Sequence, residues 1–237
     1  MLKQGTQGYF HFVNQQNRLL GLTHLVIGKV MADLKEYQDQ LTGRASPEKQ
    51  RPLPDLAELQ DIQVRLGRYS DYAQLVLELT YCRILDSFLQ YLNTLLIEIL
   101  TRDENLRVKG MQGTALTVSE RVEAEIRTLT GGVGQFANAV KSRYRLVLFA
   151  SEAEREAIER LIETRHVFTH NHGIVDHRAL KKLGPAAGHY NQPLSLTPTT
   201  VGKALGVVSR CVEGIEVRAC KRFKLPTQAV PELRSTA

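Results

Sequence analysis

Apolar residues recur at three- and four-residue steps along most of the chain, the spacing of helices with one buried face. Leu19, Leu22, Val26, Val30 and Leu34 mark the first such run, which spans residues 9–41 with no proline inside it. Gly43 ends it, and Pro47, Pro52 and Pro54 make residues 44–55 an exposed connection. A short amphipathic piece over 56–66 follows. Ser70 is then placed to cap a second long helix over 71–100, apolar on nearly all sides and therefore central in the core.

The second half of the chain is punctuated more clearly. Gly110 and Gly113 flank a loop, and Thr117-Val-Ser-Glu120 fits a capping box whose helix stops at Gly131-Gly132. Phe136, Val140, Tyr144 and Val147 mark another helix, ending near Ala150. Ser151-Glu-Ala-Glu154 is a second capping box and predicts a helix to about Asn171, with Gly173 as its stop. Residues 172–199 form a polar loop rich in Gly and Pro, with a brief alternation at Leu194-Ser-Leu196 that suggests a strand. Thr197-Pro198 opens a last helix to about Phe223, and Pro226 and Pro231 predict a loose tail. The pattern predicts an all-α bundle of about six or seven helices around a long central apolar helix. It divides into a helical extension (1–70), a main helical domain (71–225) and a flexible tail (226–237).

Composition narrows the setting. Of 237 residues, 43% are apolar and 24% charged, an ordinary globular balance that excludes wholesale disorder. Lys plus Arg exceed Asp plus Glu by 31 − 25 = 6, which permits a polyanionic partner without demanding one. Three cysteines, Cys82, Cys211 and Cys220, form no C-x-x-C pair and exclude a disulfide scaffold and a thiolate zinc finger. With no leader-like apolar segment behind Met1, and with Asp86, Gln90, Asn93 and Glu98 inside the most apolar stretch, the expectation is a cytoplasmic protein with no membrane partner.

Two polar residues stand where the helical pattern asks for apolar ones. On the helix that Ser151 opens, Ile158, Leu161, Ile162 and Phe168 define the buried stripe. At about 100° per residue, Arg165 falls in the middle of it. A guanidinium stays charged, so burying it requires an acidic partner or a bound anion. On the central helix, Leu75, Leu79, Cys82, Leu89, Leu96 and Leu100 share a stripe that also holds Asp86 and Asn93. Asp86 is thus a candidate partner for Arg165, in competition with Glu78 and Glu98 as acids and with Arg83 as a rival base.

Five of the seven histidines fall between positions 166 and 189. His166 and His170 have the i, i+4 spacing of metal ligands on a helix. The string from His170 to His177 is similar to the H-x-H-x-D-H zinc motif of metallo-β-lactamase-type hydrolases, with two extra residues before Asp176-His177. A metal-dependent hydrolase is therefore one competing expectation.

Arg165-His-Val-Phe-Thr-His170 near the end of a helix, continued by Asn171-His-Gly-Ile-Val-Asp176, resembles the motif and motif exit of HEPN domains. Upstream, Leu85-Asp86-Ser87-Phe88-Leu89 is similar to the acidic-aromatic signature that bacterial members carry within their long apolar helix. The resemblance spans roughly 71–223. His166 departs from it, because asparagine or another small polar residue is commoner there.

The resemblance implies a metal-independent endoribonuclease that needs no cofactor and acts as a homodimer, with two motifs facing across a composite cleft. His170 would take the proton of a ribose 2′-hydroxyl, and Arg165 would stabilise charge on the attacked phosphate, leaving a 2′,3′-cyclic phosphate. His166 or Asn171 would orient substrate or base, and Asp86 would support Arg165. The partner is RNA, since only RNA carries the nucleophile. A toxin with an antitoxin protein, or an antiviral effector, is the implied setting. A non-catalytic HEPN-like dimer that binds RNA, a nucleotide or a protein is the alternative. Near the C-terminus, Arg218, Lys221 and Arg222 lie within about one helical turn and predict a basic patch for the RNA backbone.

Overall fold

The computed structural model describes residues 2–41, 56–102 and 132–231, together with Thr117, Glu120 and Glu123. Its helices are α1 (Gln7–Leu41), α2 (Leu56–Arg102), α3 (Val133–Tyr144), α4 (Glu152–His170), α5 (His177–Leu183) and α6 (Pro198–Phe223). Two short strands, β1 (Gln4–Gly5) and β2 (Gln228–Ala229), pair antiparallel. The all-α bundle with one long apolar helix is what the hydrophobic spacing predicts.

α2 is the axis of the bundle. Ile84, Leu85, Phe88, Leu92, Leu95 and Ile99 are buried along it. They share one core with Phe12 of α1, Phe136 of α3, Ile158 of α4 and Val208, Val212 and Ile215 of α6. Residues 73–102 of α2 are long and apolar enough to cross a membrane by length and composition, yet 56% of the tested window is buried inside the protein. α1 runs antiparallel to α2. Gly8 N donates to Glu98 Oε1 (2.9 Å) at one end, and the Thr23 and Thr80 hydroxyls meet at 2.7 Å further along.

Predicted helix starts are present in atomic detail. Glu120 N donates to Thr117 Oγ1 (3.3 Å) while Glu120 Oε2 accepts from Thr117 N (2.7 Å), a reciprocal capping box. Ser151 accepts from Glu154 N (3.1 Å), and the Glu154 carboxylate reaches back to Ala150 N (2.6 Å). Thr197 accepts from Thr200 N, with Pro198 in the first helical position.

Five expectations are corrected. No helix begins at Ser70: α2 is one continuous helix from Leu56 to Arg102, so the expected boundary at 70/71 falls inside it. Tyr9, Phe12 and Val13 are buried in the common core, so α1 belongs to the domain it was expected to extend. The third helix stops at Tyr144, where Arg145 turns left-handed (φ 52°), and residues 145–149 run as an extended strap. Within 172–199 a helix, α5, is capped by Asp176 through Ala179 N (2.7 Å), while Leu194–Leu196 forms no strand and only a single bridge joins Ile174 to Pro193. The tail is tied down at β2, where Val230 N also donates to Lys3 O (3.0 Å). The expected 44–55 connection and the Gly110 and Gly113 loop lie outside the described residues.

Candidate active site

α4 carries the motif, and its faces divide the motif's side chains. Arg165 faces α2. There its Nε donates to Asp86 Oδ1 at 2.9 Å and its Nη2 lies 2.7 Å from the same oxygen. The expected pairing of the two polar intruders is therefore a direct contact. Of the competitors, Glu98 caps α1, Glu78 takes the Gln74 amide, and Arg83 stands 3.9 Å from Asp86 Oδ2. The Arg165 side chain keeps 22% of its surface exposed and Asp86 35%, and Nη1 has no partner among the described residues. A charged edge is thus left where an anion can reach it.

His166 and His170 lie on another side of α4. Five residues of helix turn the chain by about 140° and advance it by about 7.5 Å. Arg165 and His170 of one chain therefore diverge. His170 ends α4 with an exposed side chain, and its ring stacks on that of His166 at 5.3 Å between centroids. The His166 Nδ1 is buried with no hydrogen-bond partner among the described residues. Burial of the ring holds the His166 pKa below its usual value, and the nearby Glu163 carboxylate opposes that shift. Glu163 is itself held by Arg178 of α5 (Nε to Oε1, 2.9 Å).

Asn171 and Asp176 build the exit from the motif. The Asn171 Nδ2 donates to Asp176 Oδ2 at 2.6 Å, and Asp176 Oδ1 caps α5. These bonds, that of Ala179 N first, keep the Asp176 carboxyl below its ordinary pKa. The N–H groups of Asn171 and Gly173 both reach Val167 O (3.1 and 3.0 Å). Gly173 (φ 79°) fits that turn, whereas His172 (φ 52°) adopts the left-handed region against its preference. Asn171 therefore fastens the turn.

The basic C-terminal trio is also reassigned in part. Arg218 donates from Nε to Val147 O (2.8 Å) and from Nη2 to Leu148 O (2.6 Å), and Arg222 Nε donates to Tyr144 O (3.0 Å). Arg218 thus holds the 145–149 strap against α6, and Arg222 holds the C-terminal end of α3. Lys221 is exposed.

The histidine cluster does not converge. His177 stacks on Tyr190 at 4.2 Å, away from the His166–His170 stack, and among the described residues no three His, Cys, Asp or Glu side chains gather as a metal site requires.

A feature absent from the sequence reading adjoins Arg165. Asp86 also lines an open groove of about 480 Å³ between α1 and α2, whose walls include Arg18 of α1 and Arg83 of α2. Periodicity alone gave no hint of it, because the groove exists only once α1 lies against α2.

Scans of family models, of curated proteins and of solved structures each found no match to this chain.

Proposed function

We propose that this protein is a metal-independent endoribonuclease of the HEPN type, acting as a homodimer. The observation that carries the reading is the Asp86–Arg165 contact. Two sequence signatures far apart in the chain meet at 2.7 Å and leave a partly exposed guanidinium edge on the helix that the exposed His170 ends. In this mechanism His170 removes the proton of a ribose 2′-hydroxyl, which attacks the adjacent phosphate. Arg165, aimed by Asp86, balances the charge that builds on the phosphate oxygens. The 5′-oxygen leaves and takes a proton from water, giving a 5′-hydroxyl and a 2′,3′-cyclic phosphate. Because Arg165 and His170 diverge within one chain, the pair that serves one phosphate comes from two subunits. The biological setting that fits such an enzyme is a toxin or defence effector, with an antitoxin protein as a candidate partner.

The surface supports association. Leu75 and Leu79 continue the α2 stripe of Cys82 and Asp86, yet they are 49% and 57% exposed. An apolar row that leads directly to Asp86 suits a symmetric contact beside the motif.

Cleavage of labelled RNA in EDTA tests the chemistry. Wild-type protein is expected to yield cyclic-phosphate ends, and His170→Ala to yield none. Equal cleavage by His170→Ala would remove the catalytic role. One observation favours the second reading, a non-catalytic HEPN-like dimer that binds RNA or a nucleotide: a single chain by itself assembles no Arg–His pair. RNA binding without cleavage by the wild type would establish it.

A further inference from the structure

We propose that the groove between α1 and α2 binds the nucleotide next to the scissile phosphate of a single-stranded RNA. This assignment rests on the nuclease reading, and it adds a substrate subsite to which the N-terminal helix contributes one wall.

The groove has the chemistry of that ligand. Its volume of about 480 Å³ suits one nucleotide and falls within the range of small-ligand sites. Among its described lining residues Leu19 is the one apolar side chain. Arg18 and Arg83 stand on opposite walls, both exposed. Arg18 has no acidic partner among the described residues. Arg83 has only the 3.9 Å approach to Asp86 with 69% of its side chain exposed, a pairing worth little in water. Asp86 is the single acid of the lining, and Arg165 already neutralises it. The groove is therefore cationic in effect and fits a phosphate.

Gln15 and Gln90, one on each wall, supply amides that donate and accept together. Such groups match the Watson–Crick edge that an unpaired base displays, which is how RNA is read outside duplexes. Location completes the argument. One carboxylate, that of Asp86, holds Arg165 through Oδ1 and turns Oδ2 toward Arg83. A nucleotide in the groove would then adjoin the carboxylate that holds the Arg165 fork.

The test uses a single-stranded 2′-O-methyl oligoribonucleotide, which lacks the nucleophile and cannot be cut. Its binding to the full-length protein is followed by fluorescence anisotropy over a salt series. Arg18→Gln with Arg83→Gln is expected to weaken binding at least tenfold and to flatten the log–log salt slope by about 0.7 per arginine. Each single variant should give about half that change in slope. Both positions are exposed, and matching thermal melts exclude misfolding. Gln15→Ala with Gln90→Ala should alter the preference among oligo(A), oligo(C) and oligo(U) while leaving the slope unchanged. Wild-type affinity and slope in the double arginine variant would overturn the proposal. Cleavage of unmodified RNA in EDTA is scored separately. A wild type that binds through the groove but never cleaves overturns the nuclease reading alone, whereas cleavage that persists with wild-type affinity in the arginine variant overturns the groove alone.

Discussion

Arg165 and Asp86 lie 79 positions apart in sequence and share hydrogen bonds of the charge-assisted kind. Removing one partner from a fully buried pair costs about 3–5 kcal/mol; here water reaches both groups, at 22% and 35% exposure, so about 1–2 kcal/mol is expected. Asp86→Ala should therefore lower Tm modestly while reducing RNA cleavage far more, because the fork loses its aim. A Tm unchanged together with full activity would leave the pair without a role. His166 gives a second test, in pH. Its folded pKa is depressed by burial, so below the ordinary value of 6.5 the unfolded chain takes up a proton that the folded chain resists. Stability from this group is complete above pH 6.5 and is lost as pH falls toward the folded pKa. His166→Asn should flatten the decline of Tm between pH 7 and 5, and an unaltered Tm–pH curve would exclude this cause. Glu216 is a further polar residue in an apolar row, only 1% exposed, and it accepts from Thr6 N and Tyr91 Oη. The wheel argument that singled out Arg165 applies to it equally. It was legible and was missed.

At the scale of elements, local signals were read well and long-range ones poorly. A capping box satisfies its own backbone groups within four residues, so Thr117-Glu120 and Ser151-Glu154 are legible from sequence. Ser70 looks like a cap for the same reason, yet α2 runs through it because the helix continues on both sides. The two possibilities differ in what proline does. At the first position of a helix proline is tolerated, whereas inside one it costs about 3 kcal/mol. Asp71→Pro is expected to lower Tm by roughly 6–12 °C in a chain of this size. An unchanged Tm would mean that a helix begins at Ser70 after all. The α5 helix was missed because seven residues among Gly and Pro carry too little periodicity, although Asp176 followed by Ala179 and Leu180 is a usable start signal.

For the whole molecule, the proposal to test is that two chains meet along α2. Leu75 and Leu79 belong to the predicted buried stripe but are 49% and 57% exposed, and the proposed dimer would cover them. Leu75→Glu with Leu79→Glu should shift sedimentation from about twice the 26.7 kDa chain mass to the monomer, and RNA cleavage should disappear with it. A dimer that persists would place the contact elsewhere. Subunit mixing tests the shared cleft directly. Co-expressed His170→Ala and Arg165→Ala chains should regain one working site per heterodimer. Two inactive homodimers with no recovery would mean that each chain supplies its own pair.

The sequence by itself determined the helical class and the starts of α4 and α6, and it nominated the pairing of two misplaced charges among several candidates. Each of these follows from spacing within a few turns, or from the large cost of burying a charge alone. Tertiary structure decided what no local pattern encodes. Asn171 bonds Asp176 because the chain folds back onto it, and Arg218 and Arg222 bond backbone carbonyls because the 145–149 strap and the end of α3 lie against α6. The groove that adjoins Arg165 arose in the same way, from Arg18 and Arg83 on two helices brought side by side. A side chain's chemistry is written in its own residue, but its partner is chosen by the packing of elements far away in the chain.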